Sequence, residues 1–128
     1  MNRILIDTDI LVDHFRDYKP ATRFMEKTSG ENTLIAVSVI TIAEILSGRD
    51  CMDSRILSEI EDFLAPLEKL NVDLDVAKKA AEFRRLYGIS LADAIIAATA
   101  YKLKAPLYSR NVKHYNKIKE IRVLAPYI

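Results

Sequence analysis

The sequence predicts an α/β domain with a mostly parallel sheet and helices on both faces. Three observations carry that expectation. Short apolar runs alternate with stretches of helical periodicity, the pattern of strands joined by crossover helices. The first runs, Ile4-Leu5-Ile6 and Leu34-Ile35-Ala36-Val37, are continuously apolar, as in strands covered on both sides. The segment from Ser90 to about Leu103 is apolar almost all round, so it reads as a buried helix. With 128 residues, half of them hydrophobic, the chain has material for one core, and without internal repeat or linker it reads as a single domain over 1–128.

Arg3 to Asp7 is the first expected strand. Thr8 and Asp9 are helix-starting residues, and Ile10, Leu11, His14 and Phe15 then recur at helical spacing. Pro20 opens a second helix that runs to about Thr28 and closes near Gly30. Thr33 to Val37 is the next strand, and Ser38 caps a helix that Gly48 ends. From Asp53 to Leu64, the spacing of Ile56, Leu57, Ile60, Phe63 and Leu64 is strongly amphipathic. Pro66 stops that helix, and Leu67 to Val72 reads as an irregular third strand. Asp75 is expected to open a helix with Val76, Ala80, Phe83 and Leu86 inward, ending at Gly88. After the Ser90 helix, Pro106 to Ser109 and Ile121 to Leu124 are the last strands.

Nineteen basic and eighteen acidic residues leave a net charge of +1, so any contact with a polyanion must rest on a local patch. One cysteine, Cys51, excludes an internal disulfide and a cysteine-based zinc cluster. Arg3, Asp7, Asp9 and Asp13 interrupt anything like a signal-peptide core, and no apolar run approaches the roughly 20 residues a bilayer requires. A soluble cytoplasmic protein without membrane attachment is expected.

Three carboxylates stand where solvent is not expected. Asp7 ends the first strand, where open α/β sheets form their ligand crevice. A helix N-cap is the competing role, although Thr8 and Asp9 can also cap. Glu44 lies on an otherwise apolar helix, in one stripe with Thr41 and Gly48. A capping box from Thr41 would start that helix too late, which leaves a solvated face or a positive partner as explanations. Asp93 follows Ser90 at capping-box spacing, and the helix N-terminus favours its charge. Its apolar neighbours Ala94 to Ala98 would strand the acid without a further partner. His14 and His114 make no zinc site, and His14 reads as a surface or core-edge residue. Oxygen ligands imply a hard cation, Mg²⁺ or Mn²⁺, which suits attack of water on a phosphodiester.

The runs Ile4 to Asp13, Ser38 to Gly48, Leu91 to Ala100 and Leu107 to Tyr115, in that order and spacing, resemble the motifs of PIN domains, and most of all the VapC-like toxins of toxin–antitoxin operons. The resemblance spans nearly the whole chain. It implies a three-layer α/β/α sandwich and a Mg²⁺-dependent endoribonuclease neutralised by a VapB-like antitoxin, frequently as a homodimer. By position, Asp7, Glu44 and Asp93 match the acidic metal ligands, and Asn111 matches a polar residue lining the site. The chain departs from the pattern at His114, where many members carry an aspartate. That departure keeps open a binding-only relative that has lost catalysis. A receiver-like phospho-accepting domain is the other competitor, and the separation of Asp7 from Asp9 disfavours it. A flap-nuclease type acting on DNA is disfavoured by the chain's length.

Overall fold

The computed structural model describes residues 2–128; Met1, the first residue of the expected domain, lies outside them. Five strands form one sheet in the order β3-β2-β1-β4-β5: β1 (Asn2–Ile6), β2 (Thr33–Ser38), β3 (Glu68–Leu70), β4 (Leu107–Tyr108) and β5 (Val123–Leu124). Every pairing is parallel, with Leu5 opposite both Ala36 and Leu107. The strand order runs outward from β1 in one direction through β2 and β3, and in the other through β4 and β5. The chain therefore reverses its winding between β1 and β4, and this switch point opens a crevice beyond the strand ends.

Seven helices connect the strands. They are α1 (Thr8–Phe15), α2 (Lys19–Ser29), α3 (Val39–Leu46), α4 (Ser54–Leu64), α5 (Leu74–Tyr87), α6 (Leu91–Leu103) and α7 (Val112–Tyr115). Alternation along β1 and β2 divides the core. Ile4, Ile6, Ile35 and Val37 face Ile10, Leu11, Met25, Ile45, Ile60 and Leu64, on α1 to α4. Leu5 and Ala36 face the other way, onto Val76, Ala80 and Phe83 of α5 and the buried stretch of α6. Strands sandwiched in this way must be apolar at every position, which explains their unbroken hydrophobic runs. Ala94 and Ile96 to Ala100 are buried, so α6 is the enclosed helix its composition required.

Some local expectations shift. Asp73, not Asp75, caps α5, its Oδ1 accepting from Val76 N–H at 2.9 Å. Leu86, expected inward, is 62% exposed. The buried stripe Val76, Ala80, Phe83 continues four residues on at Tyr87, which packs against the core instead. Gly88 terminates α5 at φ 67°, a left-handed conformation that glycine adopts without Cβ strain. Two short elements lay outside the expectation: the 3₁₀ turn Arg49–Met52 and the single turn α7. Among the described residues, no single helix is long and apolar enough to cross a membrane.

Candidate metal and catalytic site

The acids gather at the carboxyl ends of the strands, beside the β1/β4 switch point. Asp7 follows β1 directly; its N–H donates to Tyr108 O at 2.9 Å, which locks it beside β4. The residue is buried and caps α1, with Oδ1 accepting from Thr8 N–H at 2.8 Å. Capping is thus one of its roles, and its second oxygen faces elsewhere. Asp7 Oδ2 accepts from the hydroxyl of Ser109 at 2.8 Å, itself fully buried at the end of β4. Asp9, in the first turn of α1, has Oδ2 3.3 Å from Ser109 Oγ and accepts from Arg110 N–H at 3.1 Å. Asp9 Oδ1 is buried and has no hydrogen-bond partner.

These placements set the electrostatics. Burial first, and the charge of Asp9 second, push the Asp7 carboxyl up to about 7; Ser109 and Thr8 N–H pull against that rise, while Asp93 adds to it. Burial also raises Asp9, opposed by the charge and N–H of Arg110. Arg110 in turn pairs with Asp13 at 2.7 Å, and Asp13 accepts from the Tyr127 hydroxyl at 2.6 Å. The crevice therefore concentrates negative charge in a dry place, with one partly committed cation beside it.

Asp93 sits in the first turn of α6, where its N–H donates to Ser90 Oγ at 3.2 Å. The amide half of the anticipated capping box is present, and the carboxylate is turned away from it. Oδ1 accepts from the Tyr115 hydroxyl and Oδ2 lies 3.1 Å from His114 Nε2, both on α7. The buried Tyr115 phenol is raised far above its ordinary range by burial first and then by the charges of Asp7 and Asp93, so it stays protonated and donates to Asp93. His114, half-buried on α7, therefore faces Asp93.

Glu44 is exposed, contrary to the expectation of a mostly buried setting. Thr41 and Ile45 form the inward stripe of α3, and Glu44 lies off that stripe, at the rim. Its Oε1 nevertheless reaches back to accept from Thr8 Oγ1 at 2.8 Å, and Thr8 also contacts the buried Thr41 hydroxyl at 2.9 Å. Asn111 is exposed; its N–H donates to Ser109 Oγ at 2.9 Å and its carbonyl accepts from His114 and Tyr115 N–H, which starts α7. The charges of Asp7 and Asp93 thus both bear on Tyr115, Glu44 joins through Thr8, and Asn111 joins through Ser109.

The donor chemistry suits a hard cation: oxygen throughout, with a buried carboxylate oxygen lacking any donor. Among the described residues, no three acidic, histidine or cysteine side chains converge closely enough to hold one ion as they stand. Asp93 is held instead by α7, through His114 and Tyr115. Asp9, Ser109 and Tyr115 were not singled out from the sequence. Asp9 was legible only as an alternative cap, and Ser109 lay inside the last recognised run.

A family model of the PIN domain matches residues 4–120. The chain belongs to the PIN domain family. Ribonuclease VapC19 of Mycobacterium tuberculosis is 30% identical over 92% of this chain and 96% of its own. Among solved structures, a toxin–antitoxin complex from Klebsiella pneumoniae superposes with a TM-score of 0.82 at 29% identity, covering 97% of this chain and 98% of that one. VapBC2 from Rickettsia felis, solved with a promoter DNA fragment, gives 0.83 at 22% identity over 96% and 98%, a likeness of fold. Membership in the PIN family sets aside the receiver-like reading. In this PIN domain the expected α/β sandwich holds, and its sheet is parallel throughout.

Proposed function

We propose that this PIN domain, acting as one unit over residues 1–128, is a cytoplasmic endoribonuclease dependent on Mg²⁺ or Mn²⁺. The observation that carries the reading is the buried acid pair at the switch point. Asp7 is buried and pushed up to about 7, and the neighbouring Asp9 Oδ1 has no partner. Such a pair is costly unless a cation is to be held there. Asp7, Glu44 and Asp93 are the proposed ligands, with Asn111 lining the site. A bound ion would stabilise charge developing at phosphorus and make water a better nucleophile. The chain's own residues orient the donors: Ser109 and Thr8 N–H aim Asp7, while Thr8 Oγ1 holds Glu44 toward the crevice. Gripping an ion then requires Asp93 to turn from His114 and Tyr115. The relative named a ribonuclease, matched over nearly its whole length, supports the substrate class.

The solved neighbours that contain an antitoxin support a VapB-like partner for this chain, and a homodimer is the proposed assembly. The α1 and α4 surfaces meet where His14 stacks on Phe63, 4.2 Å between centroids, and form an edge against which a partner helix could lie. An antitoxin arginine reaching the acids would compete with metal. Nuclease activity retained in a saturated complex would speak against that occlusion.

The test is cleavage of RNA by the purified chain with Mg²⁺ and with chelator. Cleavage that needs Mg²⁺ and falls at least ~100-fold in Asp7→Asn and Asp93→Asn is expected. Equal cleavage in chelator would overturn the metal dependence. A binding-only PIN domain is the second reading, favoured by the ties of Asp93 to His114 and Tyr115. It predicts partner binding with no cleavage under either condition.

A further inference from the structure

A cleft of about 1080 Å³ lies away from the acids, between α2, the start of β1, the end of α6 and the C-terminal segment. Arg23, Lys27, Lys104 and Arg122 line it, and Glu31 is its one carboxylate. Among the described residues none of these four cations makes a salt bridge, whereas Arg3 at the same cleft is committed to Glu68. In a chain of net charge +1, this is the local concentration of positive charge that the overall composition lacks. Aromatic rings stand among the cations: Phe24 and Tyr108, 5.2 Å apart between centroids, and Tyr127.

We propose that this cleft binds the backbone of single-stranded RNA and forms part of the substrate's track. The proposal rests on the ribonuclease reading, because it says where such a substrate lies. Unpaired lysines and arginines neutralise phosphates, and the half-buried rings of Phe24, Tyr108 and Tyr127 offer their open edges and faces to unstacked bases, a combination suited to a single strand. The cleft also adjoins a second pocket on the side of the acids. Tyr127 lines both it and a smaller pocket of about 450 Å³ formed with Asp13, Tyr18 and Arg110. Arg110 N–H reaches Asp9, and Tyr108 immediately precedes Ser109. A strand seated on the four cations would run past Tyr127 and Arg110, whose N–H reaches Asp9.

Binding is measured by fluorescence anisotropy with a labelled single-stranded RNA of ~12 nucleotides, in chelator so that no cleavage intervenes, from about 50 to 200 mM salt. Replacing Arg23, Lys27, Lys104 and Arg122 together by alanine is expected to weaken binding at least ~30-fold at low salt. It should also lower the log–log salt slope by roughly 0.7 for each phosphate no longer neutralised. The double variant R23K/R122K keeps the charge and should bind like wild type. The pair K78A/R85A on α5 removes charge from the opposite face and should change affinity less than twofold. If the fourfold variant fails to fold, the pairs R23A/K27A and K104A/R122A must each show part of the loss. Unchanged affinity in the cleft variants, or an equal loss in K78A/R85A, would overturn the proposal. So would duplex DNA that competes as well as the single strand. Cleft-dependent binding without cleavage in Mg²⁺ would instead retire the ribonuclease reading and leave the cleft as an RNA-binding site.

Discussion

The hydroxyl of Ser109 donates to Asp7 Oδ2 at 2.8 Å across 102 positions of sequence. Parallel pairing of β1 with β4 brings the two strand ends level, and the same Oγ accepts the N–H of Asn111. Ser109→Ala leaves a buried carboxylate oxygen without its donor and an amide without its acceptor. A loss of about 1–3 kcal/mol in urea unfolding is expected. Because the Ser109 hydrogen bond lowers the Asp7 pKa, its removal should move Asp7 higher still, readable by carbon NMR of the carboxyl.

Asp7 should make the metal-free protein less stable as pH rises. Burial and the charge of Asp9 push its carboxyl up to about 7 in the fold from the ordinary 3.8, so the folded state holds the proton more tightly. The stability linked to that proton is complete below about 4 and lost progressively up to about 7. Asp7→Asn, which cannot ionise, should raise the metal-free melting temperature more at pH 8 than at pH 5, with a difference of the order of 3 kcal/mol. A variant effect of the same size at both pH values would mean that Asp7 is ionised throughout.

Protons and Mg²⁺ should compete for the same carboxylates. A ligand titrating near 7 is mostly charged at pH 8 and mostly protonated at pH 6, so the apparent affinity by calorimetry should fall roughly tenfold between them. Mg²⁺ should raise the melting temperature of the wild type, and Asp7→Asn or Asp93→Asn should remove most of that gain. Identical responses from wild type and Asp7→Asn would discard this ligand set.

His114 faces Asp93 Oδ2 at 3.1 Å. His114→Asp would set two carboxylates against each other and should lower metal-free stability, while restoring a hard oxygen donor. Calorimetry should find one firm Mg²⁺ site in wild type, and tighter binding or a second ion in His114→Asp. Two equal firm sites in the wild type would contradict this. His114→Ala frees Asp93 of one partner and should alter cleavage little if the imidazole only parks the carboxylate.

Periodicity in the sequence was enough to place the elements that bury whole faces. Ile4-Leu5-Ile6 and Leu34 to Val37 declared two-sided strands, and the unbroken Ala and Ile content of α6 declared an enclosed helix, because burial leaves a mark at every position. The acids Asp7 and Asp93 were legible for the same reason, as charges beside apolar runs. Asp9 was less so: on paper it is one more first-turn acid, and only the fold buries its Oδ1 without a donor.

What local sequence determined, then, is the order of elements, the apolar faces and which acids sit at element ends. The tertiary structure decided which of those acids meet. It placed Ser109 on Asp7 through strand pairing and turned Asp93 toward the single-turn α7, too short to show a period. It set Glu44 at the rim and gathered Arg23, Lys27, Lys104 and Arg122 from three distant segments into one cleft. These are contacts between residues far apart in the chain. Their energies depend on burial and on the neighbours that packing supplies, and neither is written in the spacing of residues along a strand or helix.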